Sequence, residues 1–431
     1  MESLNVIVRR LVDNVTEAKG NYREFLEREI RFNNLLEFSN EEVIRLIHLN
    51  YRLILFKEYV GVSLLNDFAS NALATLINDN YQIILNYIFE DSNIPNRLMT
   101  HLTESPEVRK NALRFLSEIG SASVGSLSKI KTDFFNSLIE KGILKYFNEL
   151  LRMKGATEEE KVDLMSEGDN VKQVQVWCAN ILMHMLLSLP YKVRSMLTSE
   201  RSKEMGYRIL LELLDILFNS QMDSPKFEIS DFFKYLLSPE INYYETSIID
   251  TFYSKCMNHL TNFTFNKSLQ LYTKPQILSL QITIELLIYS AHTHYYVIRD
   301  HIIQTQILKN LYRLYEHPLK SIRLEGIRFL KALLRSGDEM MLQYIIENDL
   351  LRLVINLVSK SKGSSMITTA VLELFEFIRG SKILVYYLFE RYEEFLRVSL
   401  LSRSMTFRMI RQSYEKYKKE EYYEELNMDE M

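Results

Sequence analysis

Glycine and proline are scarce, 12 and 7 in 431 residues. Together they make about 4% of the chain, where ordinary usage gives about 12%. Hairpins, bulges and phosphate-cradling loops all draw on glycine, so a sheet-rich or doubly wound fold is excluded and a helical one expected. Cysteine is rarer still: Cys178 and Cys256 form no CxxC pair, which leaves neither a disulfide framework nor a cysteine-rich zinc site and fits a reducing compartment. Charge of neither sign is in surplus, with 52 Lys and Arg against 56 Asp and Glu and a formal charge of −4. Nucleic-acid binding concentrates cations, so no nucleic-acid partner is expected. No apolar run approaches the roughly 18 residues of a spanning helix. Glu2, Arg9, Arg10 and Asp13 interrupt the first apolar stretch, unlike a secretory leader. Neither membrane insertion nor secretion is expected.

What the chain does have is self-similarity. Residues 342–358, LQYIIENDLLRLVINLV, align without a gap on residues 135–151, FNSLIEKGILKYFNELL. Both read as two short helices meeting at a polar joint, Glu347-Asn348-Asp349 in one and Glu140-Lys141-Gly142 in the other, residue types that end one helix and cap the next. Weaker copies begin near Leu85, Ile298 and Tyr386. The starts at Ile298, Leu342 and Tyr386 are about 44 residues apart, inside the range of armadillo and HEAT units. Between copies lie longer amphipathic helices over 319–335 and 364–379, with Ile322, Ile327 and Leu330, and Ile367, Val371 and Leu374, spaced three and four apart. One unit cannot bury its apolar stripe alone, so neighbours must stack. The expected fold is all-α, an armadillo/HEAT-like helical-repeat solenoid over residues 22–411. An N-terminal helical extension (1–21) and a charged, mobile C-terminal tail (412–431) flank it. Loops are expected over 120–131, 153–172 and, around Pro225, 219–230.

Catalytic patterns are missing from this reading. There is no GxSxG, GxGxxG or HExxH, and Gly168-Asp169-Asn170 stands without the partner motifs of a two-metal phosphatase. No enzyme activity, metal or cofactor is expected. His292 and His294 would share one side of an extended segment, but at a helix end they read as caps facing solvent or a partner, with Tyr295 and Tyr296 beside them among polar neighbours. Most other aromatics sit at helical spacing among Leu and Ile, as Phe375 and Phe377 do, and read as core. The polar stripe of the long helices remains. Stacking would set Arg328, Lys331 and Arg335 against Glu373 and Glu376 of the following unit. That stripe is either a protein-binding groove or a solvated face of weak charge pairs.

Particular tracts carry a resemblance. Residues 284–302 (IELLIYSAHTHYYVIRDHI), 328–333 (RFLKAL) and 370–379 (AVLELFEFIR), supported by 22–26 (YREFL), 47–52 (IHLNYR), 73–77 (LATLI) and 252–260 (FYSKCMNHL), are similar to the helical core of the protein phosphatase 4 regulatory subunit 3 family, also called suppressor of MEK or Smek. The resemblance spans about residues 22–417, without the EVH1 domain that typically precedes this core and the long tail that follows it. It implies a non-catalytic subunit of a nuclear, also cytoplasmic, Ser/Thr phosphatase complex. There it would join the phosphatase 4 catalytic subunit and the second regulatory subunit and help select phosphoprotein substrates. Partner-binding residues are then sought among Arg328, Lys331, Arg335, Glu373, Glu376, His292, His294, Tyr295 and Tyr296. The alternative is an armadillo-type adaptor that carries a protein cargo in transport or as a chaperone.

Overall fold

The computed structural model describes residues 35–57, 66–122, 128–151, 169–198, 203–239, 247–266, 273–360, 366–398 and 404–429. The expected extension over 1–21, the YREFL tract and most of the 153–172 loop lie outside them. Every regular element among the described residues is helical. The contacts divide into two compact units, one built from residues 1–146 and 156–177 and the other from 147–155 and 178–431. The chain is an all-α helical-repeat solenoid of the armadillo/HEAT kind.

In the first unit, α1 (Glu41–Phe56), α2 (Asp67–Glu90), α3 (Ile94–Thr103), α4 (Pro106–Ser121) and α5 (Ser128–Glu140) follow one another, and α6 (Ile143–Leu151) begins there. Their starts are written locally. The Asn40 side chain accepts the backbone N–H of Glu42 at 2.9 Å, and that of Asn66 accepts from Ala69 at 2.9 Å; both occupy the N-cap, where a short polar side chain satisfies an orphan donor. α1 packs on α2, α3 on α4, and α5 on both α2 and α3.

After α7 (Asp169–Ser188), the second unit holds α8 (Pro190–Thr198), α9 (Lys203–Asn219) and α10 (Ser224–Leu236). Next, α11 (Ser247–Thr251) passes through a π-helical turn, Phe252–Cys256, into α12 (Met257–Asn266). Then come α13 (Lys274–Thr293), α14 (Tyr295–Thr305), a 3-10 turn (Ile307–Asn310), α15 (Tyr312–Tyr315), α16 (Lys320–Leu334), α17 (Glu339–Glu347), α18 (Leu350–Lys360), α19 (Met366–Arg379), α20 (Lys382–Val398) and α21 (Met405–Asp429). Two rows result. The long helices α10, α13, α16, α19 and α21 each pack on the next, while α14, α17 and α20 form a second row. Leu330, Leu333, Leu374 and Phe375 are buried between them, each side chain stabilising by about 1.5–3 kcal/mol against exposure.

The joints match the alignment read from the sequence. α5 meets α6, and α17 meets α18, across two residues. The second residue has positive φ in both, Gly142 at 89° and Asp349 at 52°, and Gln306 ahead of the 3-10 turn matches them at 53°. Asp349 is held there by the following repeat. The hydroxyls of Tyr387 and Tyr392, brought together by a kink in α20 at Tyr392 (φ −129°), donate to its Oδ1, and Arg391 Nη2 lies 3.3 Å from its Oδ2. Burial, and then the carboxylate beside them, raises the pKa of both tyrosines.

Several expectations change, the loop over 120–131 among them, since α4 runs to Ser121 and α5 starts at Ser128. The loop over 219–230 shrinks, because α10 already starts at Ser224 with Pro225 in its first turn. There the missing N–H costs nothing and the fixed φ suits a helix, so the proline starts a helix where the sequence reading had it break one. Phe377 is not core: it is 42% exposed while Phe375 is fully buried, since two residues turn a helix about 200°.

Candidate functional site

α16 buries Ile322, Ile327, Leu330 and Leu333 and turns its polar side along the row of long helices. Lys331 Nζ stands 2.9 Å from Glu373 Oε2 on α19 and 5.1 Å from the centroid of the exposed Phe377 ring. Arg328 pairs instead with Glu325 of its own helix at 2.7 Å, and Glu376 with Arg379 of its own at 3.1 Å. Upstream, Lys234 of α10 reaches Glu285 of α13 at 2.6 Å. A belt of matched charges therefore crosses α10, α13, α16 and α19. Lys331 holds the Glu373 carboxyl below its ordinary pKa. Glu325 is pushed up by burial, offset by Arg328. Such part-exposed pairs stabilise a fold by only about 0–1 kcal/mol each, so a partner can re-pair them at little cost.

Arg335 does not join Glu373 and Glu376. It is the residue just past the end of α16, four positions and about 6 Å along the axis from Lys331. That places it with His292, whose pKa is lowered by burial and then by the Arg335 charge. The corner between α13 and α14 is here. His294 closes α13 by donating its backbone N–H to Ser290 O at 2.8 Å and starts α14. Its ring meets Tyr253 edge-on at 5.9 Å; Nε2 is buried without a hydrogen bond among the described residues, and burial lowers its pKa. Tyr295 and Tyr296 stand edge to face at 5.6 Å, and Tyr296 is 67% exposed.

Arg299 organises this corner, and the sequence reading missed it. Its guanidinium lies 5.2 Å from the Tyr296 ring centroid, 2.7 Å from Asp300 Oδ1 and 2.9 Å from Asp338 Oδ2. Asp338 also caps α17 by accepting the Met341 N–H at 3.0 Å. One carboxylate thus starts a helix and ties it to the preceding repeat. The signal available was an Asp at the N-cap of a repeat; nothing local pointed to a partner 39 residues earlier. The nine sequence-chosen residues divide between belt (Arg328, Lys331, Glu373, Glu376) and corner (His292, His294, Tyr295, Tyr296, Arg335).

Among the described residues, no group of three His, Cys, Asp or Glu is placed to hold a metal ion, and no helix is long and apolar enough to cross a membrane. Cys178 and Cys256 are buried, and burial pushes the Cys256 thiol up to about 12, far from a reactive thiolate.

Stacked repeats bearing a charge-matched face and a pinned aromatic corner place the chain in the class of helical-repeat proteins. The comparisons narrow that class. A family model described as phosphatase 4 regulatory subunit 3 matches residues 13–416, and the chain belongs to that family. It is similar to Suppressor of Mek1 of Dictyostelium discoideum, 26% identical over 400 residues, which cover 86% of this chain and 36% of that protein. It is also similar to the serine/threonine-protein phosphatase 4 regulatory subunit 3 of Drosophila melanogaster, 21% identical over 424 residues, 92% of this chain and 40% of that one. The chain thus spans well under half the length of these two relatives. Among solved structures it is similar to a designed armadillo repeat protein at 16% identity and a TM-score of 0.38, over 65% of this chain and 98% of that one.

Proposed function

We propose that this chain is a non-catalytic regulatory and scaffold subunit of a protein phosphatase 4 type Ser/Thr phosphatase complex, binding the catalytic subunit, a second regulatory subunit and phosphoprotein substrates. The observation that carries this reading is the family match across residues 13–416. The mechanism is geometric. A rigid repeat surface holds the substrate near another chain's active centre, raising its effective concentration without supplying chemistry. The belt around Lys331 and Glu373 and the corner around Tyr296 and Arg335 are the surfaces we assign to partners, and the nucleus, with the cytoplasm, is the site of action.

Affinity purification of the tagged full chain from its native source tests this. Mass spectrometry should find a metallophosphatase catalytic subunit and a second regulatory subunit, with phosphatase activity in the eluate; eluates lacking any catalytic subunit would refute the reading. Replacing Arg328, Lys331 and Arg335 together by Glu should lower that recovery while the far-ultraviolet circular dichroism stays helical. Unchanged recovery would remove the belt from the interface.

A further inference from the structure

Three helices of the second row begin alike. α14, α17 and α20 each follow the end of a long helix, and the second residue of each is an exposed apolar side chain: Tyr296 at 67%, Met340 at 56% and Ile383 at 50%. They stand 44 and 43 residues apart, one repeat each. Two positions further on, Ile298, Leu342 and Val385 are buried, so the core is served without the outer three. Apolar side chains scattered singly over a surface are ordinary; one per repeat at the same helical position makes a line. Upstream the line stops, because Ile248, the second residue of α11, is buried.

Spacing limits what can lie along it. α14 packs on α17 and α17 on α20, and helices packed side by side have axes about 8–10 Å apart. A polyproline-II chain rises about 3.1 Å per residue with three residues per turn, so every third side chain points the same way, about 9.3 Å further on. A β-strand does not fit, since its residues three apart point to opposite faces. A docked helix engages through a stripe several side chains wide, whereas Met340 and Ile383 stand singly, each directly preceded by a charge, Glu339 or Lys382. Arg335, Lys382 and Glu339 are exposed and make no ion pair among the described residues. The free charges are thus two cations to one carboxylate.

We infer that this line docks an extended, polyproline-II segment of a partner protein, with an apolar side chain at every third position and Asp or Glu between them. The inference deepens the assignment of the Tyr296 corner to a partner and rests on that reading. It adds the next two repeats to the surface and gives the partner a conformation and a spacing.

A random dodecapeptide phage library selected on the purified full chain tests it, followed by fluorescence anisotropy with the enriched peptides. The expected pool has apolar residues three apart with Asp or Glu between them, and binds more weakly as salt rises. Met340→Glu removes the central anchor and sets a carboxylate in the first turn of α17, where a helix accepts one. It should weaken the peptides by about tenfold, the loss of one buried apolar side chain, and Ile383→Glu should do the same. Met366→Glu, at a residue 74% exposed at the start of α19 and off the line, should leave binding as it was. Melting temperatures close to the parent's for all three separate lost contacts from a lost fold. An empty selection, an apolar period of two or seven, a base-rich pool, or equal effects of Met340→Glu and Met366→Glu would overturn the inference. So would a dimer by light scattering that Met340→Glu dissolves, because the line would then face a second copy. These outcomes are read without any phosphatase present, so they leave the co-purification of a catalytic subunit to decide the broader reading by itself.

Discussion

Gln306 and Asp349 hold the same left-handed backbone at equivalent joints, a conformation that costs a residue with a Cβ roughly 1–2 kcal/mol. Their surroundings differ. The Gln306 side chain accepts only from Lys309 Nζ, at 2.6 Å and exposed, so Gln306→Gly should stabilise the protein by about 1 kcal/mol, read by thermal or urea unfolding. Asp349 receives two tyrosine hydroxyls and Arg391 from the following repeat. At this position glycine would relieve the backbone but strand those hydroxyls, a loss of about 1–3 kcal/mol for each buried one. Asp349→Gly should therefore destabilise. Stabilisation by both variants would show that the tyrosines contribute nothing to holding the joint.

At the scale of elements, the tightest constraint is the approach of α8 to α9. A Cβ at Gly206 would stand 2.1 Å from the carbonyl oxygen of Leu197 and 2.5 Å from its Cα, against backbone that cannot turn aside. Gly206→Ala should cost about 3 kcal/mol, at the upper end of overpacking effects, and lower the unfolding midpoint accordingly; a midpoint within error of the parent would mean that the two helices slide apart freely. This glycine carried no sequence signal, since it lies inside a helix among Met205, Tyr207 and Leu210. The joints were legible because capping and helix termination depend on a few neighbouring residues, as Glu140-Lys141-Gly142 and Glu347-Asn348-Asp349 show. Pro225 misled for the same local reason: proline is a breaker inside a helix and a starter at its first turn, and the residues around it leave both open.

For the molecule as a whole, buried histidines set the acid limit. Burial lowers the pKa of His294, His301 and His317, and the His317 ring already accepts the Leu319 N–H at 3.1 Å through Nδ1, which a proton there would displace. Below the ordinary histidine pKa near 6.5, the unfolded chain binds protons that the folded chain refuses. Stability should fall as pH drops through 6.5, and level off once the lowered folded values are passed. Glu228 and Glu325, raised by burial, oppose this only nearer the carboxylate range. The melting temperature should thus decline from pH 7.5 to 5.5; a rise over that interval would place these rings in contact with water.

The helical class, the repeat spacing near 44 residues and the polar joints followed from the amino-acid order, because periodicity and capping are settled within a turn or two of chain. Which charges meet did not. Lys331 finds Glu373, Arg299 finds Asp338 and Asp349 gathers Tyr387 and Tyr392 from about 40 residues away, one repeat further on. Only the stacking of repeats decides which side chains of one unit face those of the next. In the same way, Asn50 reads as one more polar residue of an amphipathic helix, yet it is buried and its carbonyl oxygen has no hydrogen-bond donor among the described residues.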